Sequence, residues 1–279
     1  MSDDPATTAT APSRAAAGAI VPGTATRIKW AIQDSLTLAR RDWIRTTKQP
    51  ETLTFAVIMG AFFLLLFNYV FGGMISAGSG VDYPQYLVPG ILVITALMGS
   101  QQTGTGLATD LTEGVDTRFR TLPMSRVAVV AGRTLSDTGR NFFGLLLVVA
   151  LGYLLGFRFA SIGGALLSLL LVLGIGYAFS WINASIALKL RSPETVGMAS
   201  MFWLFPLMLA STVFTPSARM PDWLRVFAEN QPVSVVADAV RRLSAGVDAG
   251  SDIAASIAWI VGLLVVFVPL ATWQYKKAQ

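Results

Sequence analysis

Six stretches of this chain, residues 53–75, 86–109, 141–157, 162–188, 196–215 and 253–275, contain no Asp, Glu, Lys or Arg. As a helix of about 20 residues, each can cross a hydrocarbon layer about 30 Å thick. A charge at the centre of such a helix costs about 2.5 to 3.5 kcal/mol on insertion scales, so this much uncharged sequence reads as lipid solvation. A soluble all-α protein would need polar faces that these stretches do not offer. The expected fold is an all-α integral membrane protein with six transmembrane helices.

The cations fix an orientation. With a cytoplasmic N-terminus, that side holds sixteen of the 21 Lys and Arg, from Arg14 to Lys48, Arg118 to Arg140, Lys189, Arg191, Lys276 and Lys277. The other side keeps Arg158, Arg219, Arg225, Arg241 and Arg242. Positive charge concentrates inside, so both termini are expected in the cytoplasm of a multi-pass membrane protein. The basic balance therefore reports topology. Nucleic-acid binding is not expected, because the cations are spread over every inner loop instead of gathering on one module.

Cysteine and histidine are both absent. Thiol nucleophiles, disulfides, His-dependent triads and the usual zinc sites are excluded with them, and no metal site or cofactor is expected on this chain. Ion-coupled carriers place ionisable groups in their spans, whereas this chain offers Asn68, Gln101, Gln102 and Asn183 there. There is no GxxxxGK[ST] loop to hold nucleotide phosphates. The chain is not expected to be an enzyme, and any energy for transport must arrive through a partner.

The polar segments have their own organisation. Residues 1–23, rich in Ala, Thr and Pro, read as a disordered cytoplasmic tail. Within residues 24–50, Ile28, Ile32, Leu36, Ala39 and Trp43 recur at helical spacing opposite Lys29, Gln33, Thr37, Arg40 and Arg41, an amphipathic helix suited to the inner interface and its lipids. In the inner loop from 110 to 140, Gly114 breaks a helix, Phe119 lies between Arg118 and Arg120, Leu122-Pro123 stops the chain and Ser125 caps a new helix. There Arg126, Arg133, Asp137 and Arg140 share one face, either a docking surface or a solvated charged face running into the third span. In residues 216–252, Pro221-Asp222 opens a helix carrying Trp223 and Phe227, Asn230-Gln231-Pro232 breaks it, and residues 233–243 form a second. This pair is expected to be a re-entrant or interfacial hairpin, a form of backbone tolerated at membrane depth only against protein or a water-filled cavity.

Phe71-Gly72-Gly73, Leu87-Val88-Pro89-Gly90-Ile91-Leu92, Arg118-Phe119-Arg120-Thr121-Leu122-Pro123, Gly156-Phe157-Arg158, Ser192-Pro193-Glu194-Thr195-Val196, Leu204-Phe205-Pro206-Leu207, Met220-Pro221-Asp222-Trp223-Leu224 and Gln231-Pro232-Val233-Ser234 occur in this order. Taken together they resemble the permease subunits of type-2 ABC exporters, most of all the daunorubicin-resistance permease family of actinomycetes. The likeness covers nearly all of the chain after Thr24.

The resemblance implies a six-span permease domain over residues 51–279, preceded by a connecting helix at 24–50. It also implies two permease chains side by side, as a homodimer or with a paralogous permease, and cytoplasmic ABC ATPase subunits that carry the ATP and Mg. By the same likeness Glu113, Arg118, Phe119, Arg120, Leu122 and Pro123 form a coupling helix that, with Arg40, Arg41 and Arg45, meets the ATPase. Trp223 and Phe227 fall in the outer hairpin that closes the pathway. Phe63, Phe67, Gln101, Gln102, Phe202 and Met208 are the side chains expected to line a route for a drug, polyketide or lipid. A scaffold or assembly factor without transport would share the spans, and a polar glycan or glycolipid is the alternative cargo.

Overall fold

The computed structural model describes residues 60–70, 72–73, 82–113, 126–217 and 220–277, with side chains for all but 126–130 and 276–277. The tail at 1–23, the connecting helix at 24–50 and the segment 118–123 lie outside the described residues. Among the described residues the regular elements are eight helices: α1 (Gly60–Val70), α2 (Tyr83–Thr112), α3 (Arg126–Leu154), α4 (Ile162–Leu190), α5 (Pro193–Leu209), α6 (Asp222–Asn230), α7 (Pro232–Ala245) and α8 (Gly250–Lys277).

Helix α2 is the axis of the bundle. Through its middle, residues 87–97, it is apolar and buried on nearly every side, and Leu87, Val88, Ile91, Leu92 and Val93 are fully buried. A helix of that kind belongs inside. It packs against α3, α4, α5 and α7, while α4 carries α8 on its far side and α6 rests on α7. Helix α1 lies across α2 and α3, with Leu64 buried and Gly60 against Thr95 and Val148.

Local chemistry sets the helix ends. Gly156, at φ +105°, turns the chain out of α3 in a conformation that costs glycine little. Ser161 then starts α4, its Oγ accepting from the Gly164 N–H at 3.0 Å. At the other end Arg191 takes a left-handed conformation, φ 58°, and its N–H donates to the Ala187 carbonyl at 2.9 Å. Ser192 and Pro193 immediately open α5, so α4 and α5 are joined by a tight corner.

Three boundaries differ from the apolar pattern. Helix α3 begins at Arg126 instead of 141, because its charged residues pair within the bundle and give the helix no cause to break. It ends at Leu154, short of 157, at the Gly156 turn. Helix α5 stops at Leu209, not 215, and residues 211–215 run as bends whose carbonyls find partners elsewhere.

The outside of the bundle is as informative as its core. By length and composition α4 and α8 are apolar enough to cross a membrane, and only 6% of the most apolar 18-residue stretch of α8 is buried. Val261, Val265 and Val266 are exposed there. Such a surface calls for an apolar solvent or partner.

Close helix approach depends on small residues. The Asn141 amide occupies the notch at Gly99, and the Arg133 guanidinium occupies the one at Gly106. At Gly176 a Cβ would stand 3.1 Å from the Ala96 Cβ and 3.3 Å from its carbonyl oxygen, against a backbone that cannot turn aside. Gly176→Val should therefore separate α2 from α4 and cost about 1 to 3 kcal/mol, the usual range for overpacking. Thermal gel filtration of the detergent-extracted chain should show melting several degrees lower, with Gly163→Ala, where the space is open, unchanged.

Candidate functional site

At the end of the bundle where α2 stops and α3 begins, the two helices flank the loop 114–125 and are tied together by charge. Arg133 of α3 pairs with Asp110, near the end of α2. Asp137 receives Arg140 at 2.9 Å and Arg133 at 3.9 Å. The Asp137 side chain is only 7% exposed, so the cluster is largely withdrawn from water. Of the face expected either to dock a partner or to meet solvent, Arg133, Asp137 and Arg140 do neither: they turn inward to balance one another. The reason is the notch at Gly106, which lets Arg133 reach across α2. Among the described residues two cations meet two carboxylates here, the pairing under which buried charges are tolerable.

Above it lies a layer of neutral polar groups. Asn183 of α4 donates from Nδ2 to Ser100 of α2 at 3.0 Å, and its Oδ1 accepts from Ser200 of α5 at 2.8 Å. Thr103 donates to Ser180 at 3.3 Å, and Ser180 donates on to the Gly176 carbonyl at 3.0 Å. This layer divides the apolar interior into two clusters. The larger reaches Leu97, Phe179 and Leu204, and the smaller begins at Leu107, Trp181 and Val196.

The opposite end of the bundle is organised by Arg241 on α7, whose side chain is 12% exposed. Its Nε donates to the Tyr86 carbonyl at 3.0 Å, and its Nη2 donates to the carbonyls of Thr212 and Val213 at 2.9 and 3.1 Å. Its Nη1 meets Asp238, and the guanidinium lies 3.8 Å from the centre of the Tyr86 ring. One side chain thus satisfies carbonyls left without helical partners where α5 ends. Beside it, Gln85 donates to the Arg158 carbonyl at 2.8 Å and accepts from the Arg158 N–H at 3.1 Å. That pair fastens the start of α2 to the α3–α4 turn.

The residues singled out from sequence are distributed as follows. Glu113 is exposed where α2 ends, and Arg40, Arg41, Arg45, Arg118, Phe119, Arg120, Leu122 and Pro123 lie outside the described residues. Phe63 and Phe67 are half-buried against the core. Gln101 and Gln102 are half-buried on α2, with Gln101 Nε2 4.0 Å from the Met201 sulfur on α5. Phe202 is 84% exposed, whereas Met208 is buried in the larger core cluster. Trp223 and Phe227 are exposed on one face of α6 together with Val226. These groups do not converge on one cavity among the described residues.

Sequence reasoning did not single out Asp110, Asp238, Arg241 or Phe214 as functional positions. The signals were faint: opposite charges at the two roots of one loop, and an Asp three residues before an Arg on an amphipathic helix.

The family model described as ABC-2 type transporter matches residues 33–243. The chain is 36% identical over 251 residues to the daunorubicin resistance ABC transporter permease protein DrrB1 of Streptomyces coeruleorubidus, covering 88% of this chain and 87% of that one. It is 25% identical over 261 residues to the probable doxorubicin resistance ABC transporter permease protein DrrC of Mycobacterium tuberculosis, covering 92% and 94%. It is 26% identical over 217 residues to the putative transport permease ycf38 of Cyanophora paradoxa, covering 76% and 74%.

The inner cluster makes a testable statement about coupling between helices. Arg133→Gln removes the guanidinium that pairs with Asp110 and leaves Asp137 with Arg140, and Asp110→Asn in the same chain removes the facing carboxylate charge. The double variant should melt higher than the sum of the single effects requires, by an interaction of about 1 kcal/mol in a double-mutant cycle on detergent-extracted protein.

Proposed function

Because the chain belongs to the ABC-2 type transporter family, we propose that it is the membrane-spanning permease subunit of an ATP-driven exporter of lipophilic cargo. The likeness to permeases over 88% of its length carries the reading. Two of the relatives are named for daunorubicin or doxorubicin resistance, which makes a flat, apolar drug-like molecule the cargo class we favour.

In this account six helices span the plasma membrane with both termini in the cytoplasm, the helix at 24–50 lies in the inner interface, and α6 with α7 forms a re-entrant outer hairpin. The exposed apolar surfaces of α8 and α4 suit lipid. Two permeases stand side by side, each engaged by a cytoplasmic ABC ATPase subunit on which ATP and Mg act. Nucleotide binds the closed ATPase pair better than the open one, and that differential affinity biases the attached helices between inward-facing and outward-facing arrangements.

Coupling runs through the loop between α2 and α3. Phe119 fills a groove on the ATPase, Arg118 and Arg120 pair with acidic groups at its rim, and those pairs fix register more than affinity. The roots of the loop are already joined by Asp110 and Arg133. A push on the loop therefore reaches α2 and α3 as one body. The half-buried Gln101 and Gln102, with Phe63, Phe67 and the exposed Phe202, supply polar and aromatic contacts along the route. Trp223 and Phe227 stand at the outer mouth.

Phe119→Ala should separate the two halves of the machine. Efflux of daunorubicin from cells expressing the chain with its ATPase should fall about tenfold or more, with ATP hydrolysis persisting and the membrane level unchanged. Efflux at the wild-type rate would remove Phe119 from the coupling interface.

A further inference from the structure

The outer end of the bundle holds an aromatic contact that no helix enforces. Phe67, near the end of α1, stacks on Phe214 with ring centroids 4.1 Å apart and planes at 19°. Phe63, one turn earlier, continues the column at 6.2 Å from Phe67. Phe214 lies in the bends between α5 and α6, so no helical ladder sets the direction of its ring.

What sets it is Arg241. The two carbonyls that Arg241 holds, of Thr212 and Val213, belong to the residues immediately before Phe214. The same guanidinium grips the Tyr86 carbonyl and ring and is anchored by Asp238. The Tyr83 hydroxyl adds a long bond of 3.4 Å to the Phe214 carbonyl. The connector is thereby pinned to the start of α2, the axis of the described bundle.

The other side of the stack is carried by α1, along which Phe62, Tyr69 and Val70 are exposed. The Phe67 ring meets the connector by an apolar stack, whereas the connector is fastened to α7 by three hydrogen bonds from Arg241, to the Thr212 hydroxyl and the carbonyls of Thr212 and Val213. A ring stack is weak beside charge-assisted hydrogen bonds, so when helices rock the stack parts first.

We infer that Arg241 is a positioning residue which holds Phe214 against Phe67, and that this stack is the outer closure of the chain, parting when cargo leaves. The inference rests on the export reading. It also shifts the closing contact within one chain from Trp223 and Phe227, exposed on α6, to a buried-side pair one connector earlier.

The absence of cysteine makes the test clean, because Phe67→Cys with Phe214→Cys introduces the chain's sole thiols. Inside-out vesicles carrying the full chain with its ATPase are treated with a short reducible bis-methanethiosulfonate linker. The linked peptides are quantified by mass spectrometry, at rest and after trapping with ATP and vanadate. High yield at rest and a fall of about fivefold on trapping are expected, the behaviour of a contact that opens with the cycle. Adding Arg241→Lys should lower the resting yield severalfold at an unchanged membrane level, since an ammonium cannot span three carbonyls as a planar fork does. Should that variant fail to accumulate, Asp238→Asn, which frees the anchor alone, should give an intermediate yield.

A yield that trapping leaves unchanged overturns the closure, and a resting yield indifferent to Arg241→Lys or Asp238→Asn overturns the positioning role. ATP-driven movement of daunorubicin, followed by its fluorescence in vesicles with the unsubstituted chain, is the separate control. Its absence counts against the export reading, while the yields still decide the role of Arg241.

Discussion

A buried amide in hydrocarbon has no water to turn to, and in this chain Asn183 meets that condition by binding Ser100 on one neighbouring helix and Ser200 on another. Each such bond contributes only about 0.6 kcal/mol on average in a membrane, with a maximum near 1.7. Their value lies in specificity: α2, α4 and α5 have one register in which the amide is satisfied. Slipping any of them would leave its donor or acceptor bare. The close approach at Gly176 and Gly104 brings these helices near enough for the bonds to form.

The two ends of the bundle are built on different chemistry. Where α2 ends and α3 begins, full charges join the roots of the connecting loop. At the opposite end one guanidinium satisfies the backbone where a helix stops early, and aromatic rings lie beside it. Between them the polar layer is held by neutral hydrogen bonds, individually weak but directional.

Much of the scaffold was legible in the sequence. Helices α2, α4 and α8 fill apolar stretches with ends displaced by a few residues, and Ser161, Ser192 and Pro232 mark helix starts by local rules. The pairings were not legible. Whether the charged face of α3 points outward or inward depends on the missing side chain at Gly106, and nothing local to Arg133 reveals it. The early end of α5 was hidden for a similar reason: its loose carbonyls are satisfied by Arg241, 28 and 29 residues away in sequence. Amphipathicity located α7 and its cations, but it could not say that the Arg241 guanidinium folds back over the end of another helix.

The central claim is that this chain conducts a lipophilic molecule under power from a separate ATPase, and it is tested most directly by reconstitution. The chain is tagged, extracted gently from its native membrane, and returned to vesicles with whatever ATPase accompanies it. Daunorubicin movement is then followed with that ATPase intact and with its phosphate-binding lysine replaced. The account predicts a stoichiometric ABC ATPase and ATP-dependent movement that the lysine replacement abolishes. A chain that brings no ATPase with it, or movement that survives the replacement, would contradict it.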